Sequence, residues 1–162
     1  TFKIPRGIAA RISGGRIFVS SGYDHGGALI DVSGGKPKLA WENKNMRNHF
    51  NSCVLLSGFL YGFDGDAGKP TTTLKCLELT TGEVKWEEKT GVGGLMAADG
   101  KLIVLTEKGE LMVVAATPDG FKPISRAQAL GGKCWTTPAL ANGQIFCRNA
   151  KGDLVCLDVS GK

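Results

Sequence analysis

The sequence is short of the features that would announce a function. No run approaches the ~18 apolar residues that a membrane-crossing helix needs, and no basic, apolar, small-residue leader opens the chain. No membrane span is therefore expected. The first residue is Thr1 rather than Met, which leaves room for a leader or a whole region upstream. Like charges never run to a block of five: 20 Lys and Arg and 15 Asp and Glu are scattered along 162 residues, for a net charge of +5. That pattern lacks the basic stripe of a nucleic-acid binder, so no nucleic-acid partner is expected. The five cysteines (Cys53, Cys76, Cys134, Cys147 and Cys156) contain no CxxC pair and have no close His. This argues against a zinc site, and the odd count argues against a complete disulfide framework. Cys76, Cys147 and Cys156 lie inside apolar runs, where a buried thiol is expected. If the hairpin has a two-residue loop, Cys147 and Cys156 face each other across the turn "NAKGD", as a buried thiol pair rather than a bridge. Aromatic residues are few, at seven Phe, three Trp and two Tyr, and no segment reads as a helix.

What the chain has in abundance is glycine, 24 in all, and the glycines keep a period. Gly15 precedes "RIFVS", Gly58 "FLYGF", Gly100 "KLIVL" and Gly143 "QIFCR", at separations of 43, 42 and 43 residues. Each follows a small or polar residue (Gly14, Ser57, Asp99, Asn142), and such pairs between apolar runs predict a tight hairpin whose two central residues have positive φ. A third apolar run follows in every unit: "GALIDV", "LKCLEL", "ELMVVA" and "LVCLDV". A fourth closes the first three units, as "PKLAWEN", "VKWEEK" and "FKPISRAQ".

Four short strands repeated every ~40 to 45 residues predict an all-β fold, a β-propeller of four-stranded antiparallel blades, because no single blade can bury both of its faces. A helical repeat is excluded by apolar runs of four to six residues separated by glycine turns. The expected blades cover residues 8–45, 51–90, 94–130 and 136–162, with 1–7 as the outermost strand of another blade. An open arc of blades leaves apolar faces uncovered, so a protein partner or a second copy is expected to cover them. Trp41 and Trp86 recur near the repeat period and are expected to be packing anchors.

The stretches "SSGYDHGGALIDV", "WENKNMRNHF", "LYGFDGD", "LKCLELTTGEVKWEE", "ADGKLIVLTEKGEL" and "LGGKCWTTPALANGQIFCRNAKGDLVCLD" together resemble the C-terminal half of bacterial pyrroloquinoline-quinone-like propeller repeat proteins. The resemblance spans nearly the whole chain. It implies half of a seven- or eight-bladed propeller and an exported, periplasmic setting. It also raises a quinone-dependent dehydrogenase as an alternative to a non-catalytic binding scaffold. Dehydrogenases of that kind carry adjacent cysteines and hold calcium beside the quinone, and this chain has no adjacent cysteines. Asp64 and Asp66 in "FDGDAG" could offer oxygens to a hard cation, but the stretch lacks the remaining ligands of a calcium loop. Neither a metal nor pyrroloquinoline quinone is therefore expected, and the chain leans away from being an enzyme.

In a propeller, the loop entering a blade and the turn between its second and third strands share one face near the central channel, and loops carry function on such scaffolds. Tyr23, Asp24 and His25 fall in such a turn, and Arg47, Asn48 and His49 enter the second unit. Lys133, Cys134 and Trp135 enter the fourth, with Arg148 and Asn149 at its turn. The candidate binding residues are therefore His25, Arg47, Asn48, His49, Lys133, Trp135, Arg148 and Asn149. Their cations and indole suit a small anionic or aromatic ligand.

Overall fold

The computed structural model describes residues 8–161. The strand expected over residues 1–7 lies outside the described residues. Among these, every regular element is a β-strand.

The architecture begins with the glycine pairs. Gly14–Gly15, Ser57–Gly58, Asp99–Gly100 and Asn142–Gly143 all have both residues at positive φ, between 49° and 85°. That backbone suits the right-handed twist of the strands it joins, and glycine enters it without a Cβ clash. Each pair therefore closes a hairpin: β1 (Ile8–Ser13) to β2 (Arg16–Ser21), β5 (Val54–Leu56) to β6 (Phe59–Asp64), β9 (Gly93–Ala98) to β10 (Lys101–Thr106), and β13 (Ala139–Ala141) to β14 (Gln144–Arg148). The third apolar runs become β3 (Gly26–Asp31), β7 (Thr73–Glu78), β11 (Glu110–Ala115) and β15 (Leu154–Asp158). The fourth become β4 (Lys38–Asn43), β8 (Val84–Glu88) and β12 (Pro123–Gln128).

The ribbons form four separate antiparallel sheets, each in chain order: β1-β2-β3-β4, β5-β6-β7-β8, β9-β10-β11-β12 and the three-stranded β13-β14-β15. The third strand shifts register against the fourth at an equivalent point in each complete sheet, at Leu29/Ile30, Cys76/Leu77 and Val113/Val114. Such a shift bends the outer strand and increases its twist. Trp41 stands opposite Leu29 and Trp86 opposite Cys76. Both indoles pack as the repeat predicts: Trp86 is buried, and Trp41 lies on Phe18 and donates from Nε1 to the Leu79 carbonyl at 2.9 Å.

The chain forms two compact units. The first runs to Val92 and takes in Pro118–Gly120; the second comprises Gly93–Thr117 and the residues from Phe121 onward. In the first, Phe18, Leu29, Met46, Cys53, Leu60, Leu77 and Leu79 form a core between the first two sheets. In the second, Ile103, Leu105, Leu111, Leu130, Cys134, Ile145 and Cys147 do the same for the other two. Full burial of each large aliphatic side chain contributes about 1.5–3 kcal/mol, so these clusters hold each pair of sheets together.

The cysteine expectation needs correction on one point. Cys147 pairs with Val155, and Cys156 pairs with Phe146. The two thiols are thus one register position apart and on opposite faces. Cys147 is buried and shares its core with Cys134, whereas Cys156 is exposed. Among the described residues none of the five cysteines forms a disulfide. Burial raises the pKa of Cys147, and the neighbouring Cys134 adds to it.

Candidate functional site

In the first unit the segment from Lys44 to Cys53 crosses from β4 to β5 and is pinned at Met46, Arg47 and Asn48. Ser20 Oγ donates to the Met46 carbonyl at 2.7 Å and accepts from the Asn48 amide at 2.9 Å. Asn48 Nδ2 donates to the Phe63 carbonyl at 2.9 Å. Gly65 N donates to the Arg47 carbonyl at 3.1 Å. Asn48 is buried, and its Oδ1 has no hydrogen-bond partner among the described residues. The amide predicted as a binding group thus has its donor directed at the protein's own backbone.

Asp64, at the end of β6, is the electrostatic centre of this region. Its Oδ1 accepts from Arg47 N at 2.8 Å and Arg47 Nε at 2.9 Å; its Oδ2 accepts from Arg47 Nη2 and Lys75 Nζ, both at 2.9 Å. Burial alone would raise the Asp64 pKa, but the hydrogen bonds from Arg47 and Lys75 outweigh it and hold the carboxyl below its usual range. The same Asp64 bonds hold Arg47 firmly charged. Lys75 also pairs with Glu87 at 3.4 Å. The sequence reading missed Lys75, although a lysine between Leu74 and Cys76 in an otherwise apolar strand is a signal that it needs a buried counter-charge.

Around this centre stand Tyr23 and Asp24, both non-glycine residues at positive φ, 53° and 60°. Asp66 Oδ1 accepts from the Tyr23 amide at 2.8 Å and helps to hold that backbone. Gly22 is required here, because a Cβ at this position would lie 2.8 Å from Asp66 Oδ1 and 3.1 Å from the His49 Cα. His49 meets the Tyr23 ring edge-on at 4.7 Å, and its Nδ1 accepts from the Ala67 amide at 3.1 Å. Asp24 pairs with Lys44 and, at 3.5 Å, with Arg47. His25 is exposed on the same turn, and its backbone amide donates to the Gly22 carbonyl at 3.2 Å.

The second unit repeats the scheme with other side chains. Ala150 N donates to the Lys133 carbonyl at 2.8 Å, the counterpart of the bond from Gly65 to Arg47. Lys133 therefore stands where Arg47 does, and Asn149 where Asp64 does. Asn149 is buried; Nδ2 donates to the Gly131 carbonyl and to Asp153 Oδ2, and Oδ1 accepts from the amides of Lys151 and Asp153. Thr136 Oγ1 donates to the Arg148 carbonyl at 3.1 Å. Lys133 Nζ lies 4.2 Å over the centre of the Trp135 ring, which is 40% exposed. Arg148 is exposed, as is Lys151, a cation that the sequence reading passed over.

The predicted residues thus gather as two sets, Arg47, Asn48 and His49 in one unit and Lys133, Trp135, Arg148 and Asn149 in the other. Calcium does not fit the acids singled out for it: each Asp64 oxygen already accepts two donors from cations or amides, and Asp66 Oδ1 is taken by the Tyr23 amide.

No protein-family model and no curated protein matches the chain. Solved structures do. BamB from Moraxella catarrhalis is similar at 16% identity and a TM-score of 0.68, over 91% of this chain and 41% of that one. The computationally designed Ika4 protein is similar at 11% identity and a TM-score of 0.73, over 98% and 96%. The quinohemoprotein alcohol dehydrogenase ADHIIG from Pseudomonas putida HK5 is similar at 14% identity and a TM-score of 0.53, over 67% and 19%. The chain therefore spans 41% of the length of the BamB structure. At such identities the fold is what is shared, and it is the β-propeller that the repeat predicts.

Proposed function

We propose that this propeller chain is a non-catalytic, pyrroloquinoline-quinone-like module of a larger propeller, working as an exported, periplasmic scaffold that binds a protein or ligand through its turns. The observation that carries the reading is the state of Asp64. It is a buried acid at the end of β6, the kind of group that could serve as a general base, and four donors from Arg47 and Lys75 hold it ionised and occupied. The side chains directed to solvent, Tyr23, Lys133, Trp135 and Arg148, are contact-making groups instead. A protein partner or a second copy covers the open blade faces.

The similarity to a quinohemoprotein alcohol dehydrogenase favours the alternative of a dehydrogenase fragment. The decisive experiment adds pyrroloquinoline quinone and calcium, supplies a panel of alcohols and follows reduction of an artificial electron-accepting dye. No dye reduction and no change in the quinone spectrum are expected. Turnover that requires both additions would replace the binding reading with the enzymatic one.

A further inference from the structure

We infer that the two bonded loops of the second unit, residues 131–136 and 148–153, form a docking surface for an acidic segment of a partner protein, with Trp135 as its apolar anchor. The inference deepens the binding reading above and rests on it.

Three observations carry it. The loops are fastened to each other by Ala150 N to the Lys133 carbonyl, Asn149 Nδ2 to the Gly131 carbonyl and Thr136 Oγ1 to the Arg148 carbonyl. The surface they present is thus organised before any partner arrives, which reduces the ordering cost of binding. They also carry three exposed cations, Lys133, Arg148 and Lys151, and none of the three is ion-paired among the described residues. The one carboxylate of the turn, Asp153, accepts from Asn149. With no ion pair neutralising these three charges, an incoming anion gains their attraction. Finally, Trp135 keeps 40% of its surface exposed beneath the Lys133 ammonium. Trp135 carries one cation on its ring, and Trp135 and Arg148 on the joined loops are of the residue types enriched at binding hot spots.

Charge complementarity selects the occupant. Carboxylates spaced along a peptide meet the three cations, and an apolar side chain between them lies on the indole. A nucleic acid would need a basic track beyond these loops, and the remaining charge is scattered.

The test titrates the full chain with a capped peptide of about ten alternating Glu and Leu residues by calorimetry. Binding is expected to weaken by roughly 3-fold or more between about 50 and about 200 mM salt. The Lys133→Ala, Arg148→Ala, Lys151→Ala triple variant should lose roughly 10-fold or more in affinity, and Trp135→Ala more than Trp135→Phe. Asn149→Asp, which restores the carboxylate found in the first unit, should also weaken binding by giving Lys133 an internal partner. A control triple, Lys36→Ala, Lys38→Ala and Lys69→Ala, changes net charge equally and should stay within about 2-fold. Thermal melts confirm that each variant is folded. The inference is overturned if the wild type does not bind, if the first triple binds as the wild type does, or if the control triple loses as much. Tighter, loop-dependent binding of a short oligothymidylate would also overturn it, in favour of nucleic acid. A chain that binds no peptide and reduces no dye loses this surface but keeps its reading as a binding module, whereas dye turnover removes that reading itself.

Discussion

The two units fasten the same junction with different chemistry. In the first, Asp64 gathers Arg47 and Lys75; in the second, Asn149 gathers two backbone amides, a carbonyl and Asp153. Each side chain takes part in four contacts, so each closes its loop onto its turn. What differs is the cation beside it. The carboxylate draws Arg47 inward and spends its charge, whereas the amide pins the turn without needing a charge and leaves Lys133 over Trp135 at the surface. One atom's difference in a side chain thus accompanies the difference between a cation bound to a buried carboxylate and a cation left exposed over an indole.

The comparison breaks most sharply at Asp64. Asp64→Ala leaves the Arg47 guanidinium and the largely buried Lys75 ammonium facing each other without their shared carboxylate. The expected cost is about 3–5 kcal/mol, read by urea denaturation. Asn149→Ala removes neutral or singly charge-assisted bonds and should cost about 1–3 kcal/mol by the same measurement. Equal losses, or the reverse order, would show that the two pins are not the ionic and neutral versions of one device.

Acid sharpens the same contrast. The folded Asp64 pKa lies below its unfolded value, so its contribution is complete above the ordinary carboxylate pKa and is lost as pH falls through that value towards the folded one. Amide exchange by mass spectrometry between about pH 5 and pH 2 should therefore show β6 and β7 losing protection before β14 and β15. Asp64→Asn should remove that difference while lowering stability near neutral pH. Loss of protection in both units at one pH would place the acid-sensitive group elsewhere.

How far the sequence could foretell this follows from the range of the interactions. Hairpins depend on two adjacent residues, so the periodic glycines, all four positive-φ pairs and the antiparallel ribbons could be read directly. Trp41 and Trp86 were legible because repetition marks packing. Most of the candidate residues fall on connections between strands, with Arg148 at the end of β14, but decisive partners lie far away in sequence, 17 positions from Arg47 to Asp64 and 18 from Asn149 to Gly131. Nothing in the local pattern says that Asn48 and Asn149 turn their amides inward while Lys133 and Trp135 face out. The Cys147 and Cys156 relation hung on a two-residue loop; the hairpin instead pairs Arg148 with Leu154 and Cys147 with Val155, and a slip of one residue reverses the face.

The smallest effect tests whether the units also differ at their hairpins. Ser57 and Asn142 hold the same position in their turns, each at φ 50°, and neither side chain makes a hydrogen bond among the described residues. Both are exposed, so exchanging them alters the local backbone preference and little else. Asparagine tolerates the left-handed region better than serine. Ser57→Asn should therefore stabilise the chain by a few tenths of a kcal/mol, raising the melting temperature by about 1 °C, and Asn142→Ser should lower it by a similar amount. The pair of variants together should return the melting temperature of the parent, since the two turns lie in different units and share no partners. A double variant that departs from additivity would mean that the hairpins communicate, and the units could no longer be treated as separately fastened bodies.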